Sequence, residues 1–141
     1  MEANNKNIDR NMRYDENCFA CGKNNPVGLK LEFYEQDGYY ITEFIPSKHY
    51  EGYPGILHGG ITSTILDEVM GRYLYDKDYI ALTAELTVRF KKSIPIEKKI
   101  IAYTKIVSQK ARMVEMTAEI KLEDGVVAAQ AKGKFMIKGT V

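Results

Sequence analysis

The chain has 141 residues, of which 45% are hydrophobic and 28% charged, which fits one globular domain and excludes a wholly disordered chain. Its 20 Lys and Arg balance 19 Asp and Glu, so there is no general electrostatic reason to bind nucleic acid or a membrane surface. Residues 1–17 are polar and Asn-rich and lack the apolar segment of a secretory signal. We predict a flexible arm over 1–17, a single domain over 18–141, and a cytoplasmic protein.

Two cysteines, Cys18 and Cys21, stand in a C-x-x-C spacing directly after the arm. A thioredoxin-type redox pair follows a strand and opens a helix, whereas this pair is followed by Pro26 and a strand-like segment. A tetrahedral zinc site needs two further ligands, and the chain has only two histidines, His49 and His58. We favour a structural role in a loop and predict no metal site, with metal binding and redox chemistry as alternatives.

The first half of the chain is predicted to contain two strands and a helix. Short strand-like segments at residues 28–34 and 39–45 are joined by turn residues at 36–38. After a loop with proline and glycine, the apolar residues between 59 and about 75 recur at helical spacing. This is the one long helix of the chain, and the small residues at its start allow close packing.

The second half is predicted to contain four strands, at residues 80–90, 98–108, 112–122 and 126–137, with Asp124-Gly125 as a hairpin turn before the last. In the first of these strands, alternation places five side chains on one apolar face: Leu82, Ala84, Leu86, Val88 and Phe90. One helix covers a wide antiparallel sheet only if the sheet curls around it, which predicts an α+β fold. The outer face of the sheet then needs cover, and self-association is its simplest source.

Chemically interesting residues cluster at the start of the helix. Two adjacent glycines, Gly59 and Gly60, would expose backbone N–H groups at the positive end of the helix dipole, where a carbonyl oxygen can bind. The alternative is that they only permit tight packing. His58 before them fits a capping or packing role as well as catalysis. Asp67 lies near the apolar side of the helix and needs a partner or a function, whereas we expect Glu68 to be solvated.

The string HGGITSTILD at residues 58–67 resembles the H-G-G…D signature of hotdog-fold acyl-CoA thioesterases, and in particular their PaaI and THEM-type group. Residues 82–92, LTAELTVRFKK, are similar to the strand that follows the helix in that family. Residues 18–29 resemble a leader found in one of its branches, and the likeness extends over about 18–137. It implies a hotdog fold, in which a curved antiparallel sheet of about six strands wraps around one long central helix.

The resemblance also implies roles for single residues. The Gly59 amide, with Gly60 beside it, would polarise the thioester carbonyl, and His58 would shape that loop or contact the thioester. Asp67 would act as the nucleophile or as the general base that activates water. Thr83 would orient the water, although its place on the polar face points it away from the helix unless the strand contains a bulge or Thr83 lies at an interface between chains.

Candidate substrate-binding residues follow from the same resemblance and from the charge of coenzyme A. Where many relatives carry Asn or Gln before the histidine, this chain has Glu51, which either substitutes for the amide or leaves the carbonyl with one donor fewer. Glu68 lies beside the reactive carboxylate. The phosphates of coenzyme A would favour basic residues such as Arg89 and Lys91, and Lys92, Lys132 and Lys134 are further candidates; ordinary solvated positions are the alternative for each.

The helix geometry itself predicts an oligomer. Gly59 and Asp67 are eight residues apart, or about 12 Å along a helix, too far for one chain to bring both to one carbonyl. We therefore expect a homodimer or homotetramer with shared sites, hydrolysing acyl-CoA to a free acid and CoA without a cofactor. The alternatives are a non-catalytic acyl-CoA-binding module and a hydratase or dehydratase of the same fold.

Overall fold

The computed structural model describes residues 16–141, where the predicted order of two strands, one long helix and four strands is confirmed. The elements are β1 Phe33–Gln36, β2 Tyr39–Phe44, a 3₁₀ turn Lys48–Tyr50, α1 Gly59–Asp76, β3 Tyr79–Phe90, β4 Ile100–Lys110, β5 Met113–Lys121 and β6 Val127–Thr140. Of the predicted arm, residues 1–15 lie outside this range, while 16 and 17 belong to a turn. No helix within residues 16–141 is long and apolar enough to cross a membrane.

The six strands form one antiparallel sheet in the order β1-β2-β4-β5-β6-β3, and α1 packs across one face of it. The helix contributes the centre of the core with six buried side chains: Thr62, Ile65, Leu66, Val69, Met70 and Leu74. The sheet supplies the other half, mainly from the alternating residues of β4, β5 and β6. The expected α+β architecture, a curved six-stranded sheet around one helix, is confirmed.

Two glycines lie where α1 meets the sheet. A Cβ on Gly133 of β6 would lie 2.7 Å from the Phe135 ring and 3.1 Å from the end of the Met70 side chain. A Cβ on Gly71 of α1 would lie 3.7 Å from Phe135, which is an ordinary van der Waals distance. Close approach of the helix therefore needs a glycine at position 133 but not at position 71.

The strand predicted at residues 28–34 begins later, at Phe33. Leu29 and Leu31 donate their backbone N–H groups to the carbonyls of Phe19 and Ala20, so this segment pairs with the cysteine loop rather than with β2. Lys30 between them has a positive φ of 55°, which interrupts an extended strand. The N-terminal loop, residues 16–31, is attached to the body of the domain by Ala20, Leu29 and Leu31, which are buried in its hydrophobic core.

Two residues of the predicted apolar face of β3, Leu82 and Ala84, are exposed because β3 contains a bulge. Its register with β6 shifts between Thr83 and Glu85, so that Ala84 is an extra residue with no pairing partner on β6. One extra residue reverses the alternation of side chains, and the residues of β3 that pack against the core lie on both sides of it: Ala81, Leu86 and Val88. The prediction was wrong for the half of the strand before the bulge.

Candidate active site

The N-terminus of α1 is fixed by its capping residue, His58. The backbone N–H of His58 donates a hydrogen bond of 2.9 Å to the carbonyl of Tyr50, which holds the residue against the preceding 3₁₀ turn. Its ring Nδ1 accepts a hydrogen bond of 2.9 Å from the N–H of Gly60. A nitrogen that accepts carries no proton, so the neutral ring has its proton on Nε2 and offers a donor there.

The two glycine N–H groups at the start of α1 are not equivalent. Gly60 uses its N–H within the histidine cap, whereas no hydrogen bond from the N–H of Gly59 occurs among residues 16–141. Gly59 therefore keeps an unpaired donor at the positive end of an eighteen-residue helix. The expectation that the Gly60 amide assists Gly59 does not match the structure, because its hydrogen is already engaged.

Glu51 braces the loop that leads to the helix. Its carboxylate accepts a hydrogen bond of 2.9 Å from the backbone N–H of Gly55, and its backbone forms an isolated bridge with Leu57. An ionised carboxylate offers only acceptors, so Glu51 cannot polarise a carbonyl as the amide of Asn or Gln would. Of the two expectations for Glu51, the structure favours the one in which the substrate carbonyl has one hydrogen-bond donor fewer than in those relatives.

A groove of about 1020 Å³ opens beside Gly59 and is lined by the Glu51 loop, the helix start and the end of β3. Two aromatic residues that the sequence had not indicated lie in its wall: Tyr53 is 81% exposed and Phe90 is 57% exposed. The Phe90 ring lies 3.6 Å from where a Cβ of Gly59 would be. Two such exposed aromatics beside an unpaired amide suit a pocket for an apolar or aromatic group. Alternation alone placed Phe90 on the apolar face of β3, and the one sequence signal for its exposure was its position at the end of the strand.

Asp67 projects from the middle of α1 towards β3. Thr83 donates a hydrogen bond of 2.7 Å from its hydroxyl to the Asp67 carboxylate. The bulge at Ala84 makes this contact possible, because it places Thr83 on the helix side of the strand. The Thr83 side chain therefore points towards α1, where it contacts Asp67.

Asp67 has the electrostatic character of a reactive group. It is half-buried, and desolvation raises the pKa of its carboxyl, an effect that the hydrogen bond from Thr83 partly opposes. A carboxylate with few solvating partners is a stronger base and nucleophile than one in bulk water. Perturbed carboxyl groups of this kind are common at catalytic sites.

Glu68 is not solvated as expected but partly buried, and desolvation raises its pKa. Its carboxylate lies 3.9 Å from the Cys18 sulfur, so it faces the N-terminal loop and not the Asp67 side of the helix. Burial together with the Glu68 carboxylate raises the pKa of the neighbouring Cys21 thiol well above its usual range. The predicted substrate-binding role of Glu68 is therefore not supported by its position, since its carboxylate is turned towards the cysteines.

The basic candidates are divided between two faces of the molecule. Lys91 and Lys92 line the groove beside Gly59. Arg89, only two residues earlier, lines a second groove of about 570 Å³ together with Lys132. The structure therefore places Lys91, but not Arg89, next to the helix start.

The arrangement separates its two reactive parts within one chain. The Gly59 N–H is at the N-terminus of α1, and the Asp67 carboxylate lies eight residues further along the helix, about 12 Å along its axis. Asp67 is also not among the residues that line the groove at Gly59. One part can stabilise a developing oxyanion and the other can attack or deprotonate, but they cannot act on the same carbonyl from one chain.

Comparison with known proteins adds a family model and a curated relative. The model described as the thioesterase superfamily matches residues 54–129, more than half of the chain. Acyl-coenzyme A thioesterase THEM4 of Mus musculus is 29% identical over 84 residues. That match covers 60% of this chain but only 36% of THEM4, so the chain spans little more than a third of this relative.

Two solved structures share the fold. A hypothetical thioesterase protein from Streptococcus pneumoniae, solved with coenzyme A, superposes with a TM-score of 0.73 at 18% identity and covers 78% of this chain and 90% of its own. The PaaI protein of the phenylacetic acid degradation operon of E. coli gives a TM-score of 0.74 at 15% identity, covering 80% of this chain and 83% of its own. At these identities the structures show the fold, and with the family model they confirm the resemblance to hotdog thioesterases of PaaI and THEM type.

Proposed function

The chain belongs to the thioesterase superfamily, and from this premise we propose that it is an acyl-CoA thioesterase, which hydrolyses acyl-CoA to a carboxylic acid and free CoA. The observation that carries the proposal is the pair of features on α1, an unpaired Gly59 N–H at its start and a Thr83-bound Asp67 in its middle. The mouse THEM4 and the coenzyme A-containing structure from Streptococcus pneumoniae support the substrate class.

In the proposed reaction the thioester carbonyl oxygen accepts a hydrogen bond from the Gly59 N–H. As the carbon becomes tetrahedral, the helix dipole and this N–H stabilise the negative charge on the oxygen, and the Nε2–H of His58 is a second donor at the same turn. Asp67 either attacks the carbonyl carbon directly or removes a proton from the attacking water, while Thr83 holds the carboxylate in place. The C–S bond then breaks, and CoA leaves as the thiolate and takes up a proton. Where Asp67 is the nucleophile, the acyl group stays on its carboxylate as a mixed anhydride until a water molecule hydrolyses it to the free acid. No cofactor is required, because a thioester is already activated.

The site is proposed to form between two chains, and the geometry of β3 supports this. Within residues 16–141, β3 is an edge strand that pairs with β6 alone, and it carries Thr83 in its first half and Phe90 at its end. If two copies of β3 pair antiparallel about a two-fold axis near Leu86, Phe90 of one chain lies opposite Thr83 of its partner. Because Phe90 packs on Gly59 and Thr83 binds Asp67, this register unites the two halves of the site. A homodimer is the minimum assembly, and the outer sheet face can extend it to a homotetramer.

The rival hypothesis is a non-catalytic module that binds acyl-CoA. A pure binding protein has no need for a half-buried carboxylate held by a threonine, and this contact favours the enzyme. We further propose a cytoplasmic location, since no disulfide bond joins Cys18 and Cys21, as is usual in a reducing compartment.

The test is release of the CoA thiol, followed colorimetrically over short, long and aromatic acyl-CoA substrates. We expect the wild type to turn over at least one class and Asp67→Asn to lose nearly all of that activity. Asp78→Asn is the matched control, because this exposed residue of the α1–β3 turn undergoes the same chemical change outside the site. Turnover unaffected by Asp67→Asn, or binding of acyl-CoA without any turnover, would contradict the proposal, and the second result would favour the binding module.

A further inference from the structure

The N-terminal loop, residues 16–31, and helix α1 meet at a cluster of three groups that the proposed hydrolysis does not use. The sulfurs of Cys18 and Cys21 and a carboxylate oxygen of Glu68 all lie within 4.8 Å of one another. Cys21 is buried, while Cys18 and Glu68 are partly buried. The sequence spacing supplies only two of these groups, and the fold adds the third from a residue fifty positions away.

We propose that Cys18, Cys21 and Glu68 bind one Zn²⁺ ion, which fastens the N-terminal loop to α1. Thiolates with a carboxylate are a ligand set that zinc accepts, and soft sulfur ligands disfavour Mg²⁺ and Ca²⁺. With Zn–S near 2.3 Å and Zn–O near 2.0 Å, tetrahedral ligands lie roughly 3.5–3.8 Å apart, so three ligand atoms within 4.8 Å of one another need to close by about 1 Å or less. The Cys18 sulfur and the Glu68 oxygen, at 3.9 Å, need to move only a few tenths of an ångström. The fourth position of the tetrahedron is left to solvent.

The loop that carries the cysteines is held in shape by its own backbone. The N–H of Gly22 donates a hydrogen bond of 2.8 Å to the carbonyl of Cys18, which closes the turn around the two sulfurs. A Cβ at Gly22 would lie 2.4 Å from the Cys18 nitrogen and 2.4 Å from the Glu16 carbonyl oxygen, so only glycine fits this turn. Both sulfurs are thus presented on one side of a tight turn that faces α1, where Glu68 completes the ligand set.

The charge around the cluster is compatible with a bound cation. Two thiolates and one Zn²⁺ together carry no net charge, so the bound ion would add no unbalanced charge to this partly buried cluster. Arg72 donates a hydrogen bond of 3.4 Å to the Cys21 sulfur. A guanidinium that donates to a sulfur ligand stabilises the thiolate form and balances the carboxylate of Glu68, as outer partners of metal ligands commonly do. The same guanidinium is held in place by Asp76 at 3.1 Å.

The experiment measures zinc by mass spectrometry in the full-length chain, purified under reducing conditions, stripped and then reloaded with ZnSO₄. We expect one Zn²⁺ per chain and the release of protons on binding, seen as a buffer dependence in calorimetry. Glu68→Gln should weaken zinc binding by about 100-fold or more, since even loss of an outer partner costs 10–100-fold. Asp67→Asn, which changes the adjacent carboxylate, should keep full zinc affinity although it loses turnover.

A second measurement does not depend on how the variants fold. Co²⁺ added to the stripped wild type should give thiolate-to-cobalt charge-transfer absorption and the visible bands of a tetrahedral site. Zinc content well below one per chain after reloading, absence of these bands, or unchanged zinc binding in Cys18→Ser/Cys21→Ser would each overturn the proposal. The result has no bearing on hydrolysis, because none of the three ligands takes part in it. A positive result would replace the sequence-based expectation of no metal site.

Discussion

Replacing Gly59 by proline removes the one backbone hydrogen that the proposed mechanism needs. Proline has no N–H, and it is well accepted at the first position of a helix, where that hydrogen has no helical partner. Gly59 is this first position. The residue before a proline must be extended, and His58, with φ −59° and ψ 133°, already has that conformation. The substitution therefore deletes a hydrogen-bond donor with little expected effect on the fold.

The expected loss is large because the donor acts where charge develops. Removal of one oxyanion donor costs about 10²- to 10³-fold in kcat, or about 2.7–4 kcal/mol of transition-state stabilisation. The Nε2–H of His58 would remain, so we expect the lower end, about 100-fold. Gly59→Ala is the reference, because it keeps the N–H and adds a Cβ that lies 3.6 Å from the Phe90 ring. The ratio of the two kcat values separates the effect of losing the backbone N–H from the effect of the added side-chain volume.

The assay is thiol release at saturating acyl-CoA, with thermal denaturation to confirm that both variants are folded. If Gly59→Pro and Gly59→Ala agree in kcat within about threefold, the N–H contributes less than one kcal/mol and the oxyanion assignment is wrong. The same variant tests the shared site. Random mixing of inactive Gly59→Pro and Asp67→Asn chains should restore about a quarter of the wild-type sites, because half of the dimers carry one intact site. No recovery after mixing by unfolding and refolding would place both residues in a single-chain site.

Three further substitutions test the site and the fold. Thr83→Val should lower kcat by at least about tenfold, since a hydrogen bond to a carboxylate contributes about 1.5–3 kcal/mol, and Thr83→Ser should restore it; equal loss in both would indicate a packing role. Gly71→Ala should raise the melting temperature by about 2–4 °C, because alanine is the better helix former and the site has room for its Cβ. Hydrogen bonds from Tyr103 and Gln130 lower the pKa of Glu119, so its stabilising contribution is complete above its unfolded pKa of about 4.3 and lost as the pH falls through its folded pKa. Urea unfolding at pH 6 and pH 3.5 should therefore show a smaller acid-induced loss of stability in Glu119→Gln than in the wild type.

The order and type of the elements were predictable because local patterns determine them. Turn residues with positive φ, Asp37, Gly38 and Gly125, occur where the sequence had indicated tight turns. The period of apolar residues separated the long helix α1 from the strands, and its boundaries differ from the prediction by one residue at most. Long, strongly periodic segments carry enough independent signals that tertiary contacts do not override them.

What the sequence could not show depends on contacts between distant residues. The bulge at Ala84 has no signal in the strand itself, because Ala84 is an ordinary strand residue and the cause is the register with β6. For the same reason the direction of Thr83, and hence its bond to Asp67, could not be derived from alternation. The His58 ring already accepts the Gly60 N–H, which is therefore not available to a substrate. This could be found only from the side-chain geometry of the cap.

Adjacent residues on a helix point about 100° apart, and this explains how Asp67 and Glu68 come to have different environments. Asp67 faces β3, where the bulge brings a hydroxyl to it, and Glu68 faces the N-terminal loop, where two sulfurs surround it. Neither carboxylate can take the other's place without rotating the helix, which its fully buried residues Leu66 and Val69 prevent. We therefore expect that no activity remaining in Asp67→Asn is due to Glu68, and that the double variant Asp67→Asn/Glu68→Gln shows the same kcat as Asp67→Asn. A further drop in kcat in the double variant would mean that the two carboxylates serve one site.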